Sequence, residues 1–168
     1  AAVGDHLDRD RNPLAIDMSF RHQGDALGRD AEVLRHVHAD VTDRLCIFVH
    51  GLGCNERAWD FFAASAWGNR GINYGTRLQQ RCGYTPFYLR YNSGRHISAN
   101  GRELARLIEQ LVDAYPVRPQ EIVLIGHSMG GLVSRSACHY GQEHGMRWTE
   151  ILRHVVCLGS PHLGAPLE

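Results

Sequence analysis

Three short apolar runs constrain this chain more than anything else in it. They are Leu45–Val49 (LCIFV), Glu121–Gly126 (EIVLIG) and Arg153–Gly159 (RHVVCLG). Each is too short for a helix and breaks off at a glycine-rich stretch, which is the pattern of a strand buried on both faces. Tyr84–Tyr91 (YTPFYLRY) is a fourth candidate of the same kind. The segments between them are amphipathic. In Ile97–Tyr115 the residues Leu104, Leu107, Ile108, Leu111, Val112 and Tyr115 form one apolar stripe, closed by Pro116 and Pro119. Ser128 to about His144 carries Met129, Leu132, Val133, Ala137 and Tyr140 on one face. Buried strands alternating with such helices require a mainly parallel sheet covered on both faces, a three-layer α/β fold.

The remaining elements are less sharply marked. Glu56–Trp67 (ERAWDFFAASAW) reads as one helix, with Trp59, Phe62, Ala63 and Ala66 at spacings of three and four. On that reading Trp59, Phe61 and Phe62 belong to its core side rather than to a lipid-contact surface. A second helical piece runs from about Tyr74 to Arg81. Upstream, Leu14–Phe20 (LAIDMSF) reads as a strand, and Ala31–Val41 as a strand or a short helix. Residues 1–44 are therefore taken as a leading segment of the sheet, and 45–168 as the body of the domain.

Composition excludes several classes. With 168 residues and 43% hydrophobic content, one packed domain is expected. The 18 basic residues, all arginine, balance 18 acidic ones and form no stripe, so there is no electrostatic footprint for nucleic acid or an anionic membrane. No apolar run reaches the roughly 18 residues of a membrane span. The start, AAVGDHLDRDRN, shows no signal peptide, which favours the cytoplasm, although the chain does not begin with Met. The five cysteines include no C-x-x-C pair, and Cys46 and Cys157 lie in strand-like runs as small hydrophobes. His36-x-His38 would put two imidazoles on one strand face, but no third ligand stands at zinc-like spacing, so no metal is assigned.

Chemistry is concentrated at two loops on the carboxyl ends of strands, where ligands bind in such sheets. Ile125–Gly131 (IGHSMGG) contains G-x-S-x-G between a strand and a helix, the context of a nucleophile elbow that exposes Ser128. Its glycines allow strand and helix to approach closely. The N–H of Met129, at the positive end of the helix, is placed to stabilise an oxyanion. A second donor is expected from the loop after an earlier strand. His50-Gly51-Leu52-Gly53 fits, with the Leu52 N–H as that donor.

The stretches FVHGLGCN, YNSGRHISANGRELARLIEQLV, VLIGHSMGGLVSR and LGSPHLGAP together resemble the α/β-hydrolase superfamily. Within it they are similar to the bacterial lipase/esterase branch that groups with triacylglycerol lipases and PGAP1-like GPI inositol-deacylase domains. The resemblance covers about residues 45–168. It implies hydrolysis of a small-molecule or lipid carboxylic ester through an acyl-enzyme on Ser128, with no cofactor. In the superfamily the triad acid and histidine follow later strands. The resemblance therefore places both beyond Glu168 and implies a hydrolase domain cut within its fold, inactive as this segment alone. His50 and His162 are expected to line the pocket, His50 as a brace of its loop. His127 is read as structural, and Arg95 and His96 as either cleft-lining or solvated. Acyl transfer or thioester cleavage uses the same machinery. A non-catalytic hydrolase-like binding module is the competing class, and an unstable isolated segment a third expectation, because the last strand would be an exposed apolar edge.

Overall fold

A computed structural model of the chain describes residues 15–28, 30–38, 40–69 and 71–164. Its strands are β1 (Ser19–His22), β2 (Asp25–Ala26), β3 (Arg44–Val49), β4 (Thr85–Arg90), β5 (Glu121–His127) and β6 (Leu152–Leu158). Its α-helices are α1 (Ala31–Val37), α2 (Ala63–Trp67), α3 (Tyr74–Cys82), α4 (Ile97–Ala114) and α5 (Met129–Glu143), with 3-10 turns at Glu56–Asp60 and Arg147–Glu150. The strands form one sheet in the order β2-β1-β4-β3-β5-β6. The β4-β3-β5-β6 part is parallel, and the β1–β2 hairpin joins it antiparallel through β4. This is the mainly parallel α/β architecture expected from the buried runs.

The alternation within β3 builds two cores at once. Leu45, Ile47 and Val49 face a cluster completed by Leu34 of α1, by Leu104, Ile108 and Leu111 of α4, by Val133 and Ala137 of α5, and by Trp148. Cys46 and Phe48 face the other side, where Trp59 and Val123 close over them and Leu78 of α3 packs alongside. A strand whose every side chain is buried cannot alternate with polar residues, which is why LCIFV has none. β6 is the edge strand. Val155 packs on the first cluster, whereas Val156 and Leu158 on the other face are partly exposed.

Three sequence expectations need correction. Leu14–Phe20 is not a strand: Leu14 lies outside the described residues, Ala15–Met18 are irregular, and the strand starts at Ser19. Glu56–Trp67 is not one helix. Its first part is the 3-10 turn Glu56–Asp60, and α2 begins only at Ala63 after Phe62 has taken a left-handed φ of 63°. Trp59 and Ala63 are buried as expected, but Phe61 is 60% and Phe62 77% exposed. The cause is local anchoring. Arg90 holds Glu56 at the start of the turn, and Asp60 Oδ1 accepts from Asn73 Nδ2 at 2.8 Å at its end. A helix continuing from there would break one of these contacts. Ala31–Val41, left open between strand and helix, resolves as a helix capped by Asp30, which accepts from the Val33 N–H at 2.9 Å. His36 therefore lies on α1 and His38 beyond its end, not together on one strand face.

Helices α4 and α5 cross closely at Gly101, where Ser136 of α5 fills the space a side chain would need. A Cβ there would lie 2.2 Å from Ser136 Oγ and 2.9 Å from the Ser136 carbonyl carbon. Alanine for glycine inside a helix normally gains about 1 kcal/mol. Gly101→Ala should instead lose about 1–3 kcal/mol, because the backbone of α5 must move. Chemical denaturation of the two proteins checks the sign.

His38 packs 5.0 Å from the Phe87 ring and 6.1 Å from His22. Burial, and then the charge of His22, lowers its pKa to about 4 from an ordinary 6.5. Between those values the unfolded chain binds a proton that the folded chain refuses. Stability should thus fall as pH drops from about 6.5 to about 4, then lose this slope below. His38→Gln should flatten that part of the curve, as read from urea midpoints across the range. Equal slopes for both proteins would remove His38 from the account.

Candidate active site

Ser128 occupies the bend between β5 and α5 with φ 52° and ψ −125°. That conformation is rare for a residue with a Cβ. Two backbone bonds hold it: the Ser128 N–H donates to Leu158 O at 2.8 Å, and the Gly131 N–H donates to Ser128 O at 3.1 Å. The helix then lies directly on the strands. A Cβ on Gly126 would be 2.4 Å from Gly131 N, and one on Gly130 would be 2.1 Å from Val49 O. These two glycines are required for space rather than for turning. The side chain of Ser128 is half-buried and makes no cap bond to its own helix.

Val49 pairs with Gly126 across the parallel ladder, so the loop leaving β3 emerges beside the bend. A Cβ on Gly51 would lie 3.1 Å from Ser128 Cβ. Two N–H groups of this loop are already committed: Gly53 donates to Ser93 Oγ at 3.0 Å, and Cys54 donates to Gly51 O at 3.3 Å. Leu52 and Met129 are the two positions expected to supply donors. Among the described residues neither backbone N–H has a protein acceptor. For Met129 this follows from its place in the first turn of α5.

His50 is fully buried. Its Nδ1 lies 2.9 Å from Gly51 O, which can only accept, so Nδ1 carries the proton. Nε2 then accepts from the Tyr91 N–H at 3.4 Å. The Tyr91 ring stacks on the imidazole at 4.3 Å, and its hydroxyl donates to His50 O at 2.8 Å. Burial first, together with the charge of Arg90, lowers the pKa of His50. It is a neutral clamp on the loop. The carboxylate closest to it electrostatically is Glu56, which receives Arg90 Nε at 2.7 Å and a second bond from the same guanidinium. Burial alone would raise the Glu56 pKa, but the bonds and charge of Arg90 hold it below the ordinary value.

The other candidates separate from this cluster. His127 is exposed, with Nδ1 against Gly51. His162 is exposed and its Nδ1 lies 2.9 Å from Arg135 NH1. Arginine only donates, so Nδ1 accepts and a neutral ring carries its proton on Nε2. Arg95 pairs with Glu103 at 2.7 Å, and His96 is an exposed N-cap of α4. Sequence reasoning missed Tyr91, Ser93 and Asn100. Ser93 pins Gly53, and Asn100 Nδ2 donates to Asn92 O at 3.0 Å. The available signal was the YNSG turn at the end of a strand that neighbours β3.

Gly130→Ala places its methyl against Val49 O and His50 O, two backbone atoms with nowhere to rotate. A loss of about 3 kcal/mol is expected, near the top of the range for overpacking. Gly53→Ala, at φ 69° with open space around it, should lose only about 1 kcal/mol from its left-handed backbone. Parallel denaturation curves separate crowding from conformation.

Comparison with known proteins gives one family. The model of the PGAP1-like alpha/beta domain matches residues 40–168, a span that contains Ser128, both glycine loops and the four parallel strands. A search of curated proteins gives no match. A match over more than half of the chain, on a mostly parallel sheet with a strained serine between strand and helix, settles its membership: the chain belongs to the PGAP1-like alpha/beta domain family, with a hydrolase-type α/β fold.

Proposed function

We propose that this chain carries the nucleophile of a serine ester hydrolase of the lipase/esterase type. The observation that supports it most is the meeting of two loops far apart in sequence: Gly51 abuts Ser128 Cβ, and among the described residues the Leu52 and Met129 N–H groups have no protein acceptor. A simple turn serine has no need of that arrangement. Ser128 Oγ attacks the acyl carbonyl and passes its proton to a histidine. The N–H groups of Leu52 and Met129 hold the oxyanion of the tetrahedral intermediate. Collapse expels the alcohol, which takes that proton, and leaves the acyl group on Ser128. Water then attacks, and the acid is released with Ser128 restored.

The histidine and its carboxylate are assigned to sequence outside residues 1–168. Residues 45–168 would be the nucleophile-bearing part of the catalytic domain, with 1–44 leading into it. The substrate is a small-molecule or lipid ester, and the chemistry needs no cofactor.

Fluorophosphonate labelling tests the assignment in a protein that carries the remaining triad members. Labelling should stop in Ser128→Ala, and ester hydrolysis should fall by about 10⁴-fold or more. Equal labelling of both proteins would sink the proposal and favour a binding module.

A further inference from the structure

Phe61 and Phe62 are the anomaly in this fold. They are adjacent aromatic side chains, 60% and 77% exposed, in a segment whose pattern would have buried them. We propose that the Phe61-Phe62 turn is an insertion point for an uncharged or zwitterionic lipid surface.

The chemistry of the segment is consistent throughout. Phe61–Gly68 (FFAASAWG) contains no charged residue. Its one hydroxyl, Ser65 Oγ, donates back to Phe62 O at 3.0 Å, so its polar group is turned onto the backbone. Ala64, Ser65 and Ala66 are exposed and small, so the two rings stand above a low surface. Phe62 has a left-handed φ of 63°, and neither it nor Phe61 packs against the Phe48–Trp59 cluster. At the margin, Trp67 meets Tyr74 edge to face at 5.0 Å, and Tyr74 is half-exposed. Amphipathic rings around an apolar tip are the distribution expected at a lipid–water boundary.

Size and charge choose the occupant. Two phenylalanines at these exposures present on the order of 270 Å². A stable protein interface needs about 800 Å² on each side. A wedge between acyl chains needs only the rings. The segment bears no cationic cluster, and the preceding Arg57 and Asp60 offset one another, so anionic headgroups gain nothing. No helix among the described residues is long and apolar enough to cross a membrane. Leu52 is exposed on the same strand-exit segment. Docking here would bring aggregated ester to the loop that bears it, and only that last step rests on the hydrolase proposal.

The test is sedimentation with phosphatidylcholine vesicles in the absence of any substrate. The wild-type chain and Ser128→Ala should both pellet with lipid. The Phe61→Ser, Phe62→Ser double variant should partition about tenfold less or weaker. The Phe61→Trp, Phe62→Trp double variant should keep binding and shift its emission to the blue on vesicles, which controls for misfolding. Added anionic lipid or salt should change little. The proposal is overturned if the wild type stays in solution, if the Phe61→Ser, Phe62→Ser double variant pellets like the wild type, if binding requires anionic lipid, or if the rings are found to join two copies of the chain instead. Vesicle binding by a chain in which Ser128 proves unreactive would retain the docking site and reject the hydrolase.

Discussion

The contact of α5 with the backbone of β3 and β5 is the constraint on which the rest of the structure depends. No side chain separates them at Gly126 and Gly130; Val49 O, Gly131 N and the helix backbone meet directly. That approach fixes how sharply the chain must turn at Ser128. It forces a φ of 52° on a residue with a Cβ, a strain of about 1–3 kcal/mol. The strain persists because both sides of the bend are over-determined. Behind it, Val133 and Ala137 of α5 are fully buried, and ahead of it Leu158 O receives the Ser128 N–H. Relaxing the serine would mean lifting a helix off its sheet.

The loop leaving β3 depends on a second set of forces, almost all polar. Tyr91 and Ser93, at the exit of β4, hold His50 and Gly53 respectively. Arg90, one residue earlier, holds Glu56. One strand end thus positions the neighbouring strand's loop through a ring stack, an ion pair and main-chain bonds. Buried networks of this kind rigidify when their members are satisfied. The His50 ring meets that condition with a carbonyl on one nitrogen and an N–H on the other. The loop is thus positioned by a scaffold and not by itself alone.

These two layers were unequally legible in the sequence. The four parallel strands, α4, α5 and the bend at Ser128 follow from periods of apolar residues and from glycine spacing, both local signals. The Tyr91–His50 clamp joins residues 41 positions apart, and nothing in either neighbourhood announces it. The misread stretch is Glu56–Trp67. Apolar residues three and four apart fit a helix, but they fit two short turns equally well when only Trp59 and Ala63 need burying. The deciding contacts, Arg90 to Glu56 and Asn73 to Asp60, come from β4 and α3. Tertiary anchoring overrode a local pattern, and the residues displaced by it were the phenylalanines.

The same tertiary bonds decide which histidine can serve Ser128. A general base needs an Nε2 lone pair turned to the hydroxyl and an Nδ1–H turned to a carboxylate. His50 has the right tautomer, but its lone pair already takes the Tyr91 N–H, and the ring is buried under a tyrosine in a site that disfavours the imidazolium. Accepting a proton there would set two N–H groups against each other in a fully buried site. His162 has the opposite fault: Arg135 occupies its Nδ1, so that nitrogen cannot hold a proton toward an acid. Glu56, the buried carboxylate that His50 feels, is spent on Arg90. His50 and Glu56 are held in structural bonds that proton transfer would undo. Neither His50 nor His162 therefore fits the base that the chemistry proposed for Ser128 calls for, and the Ser128 side chain itself is only half-buried.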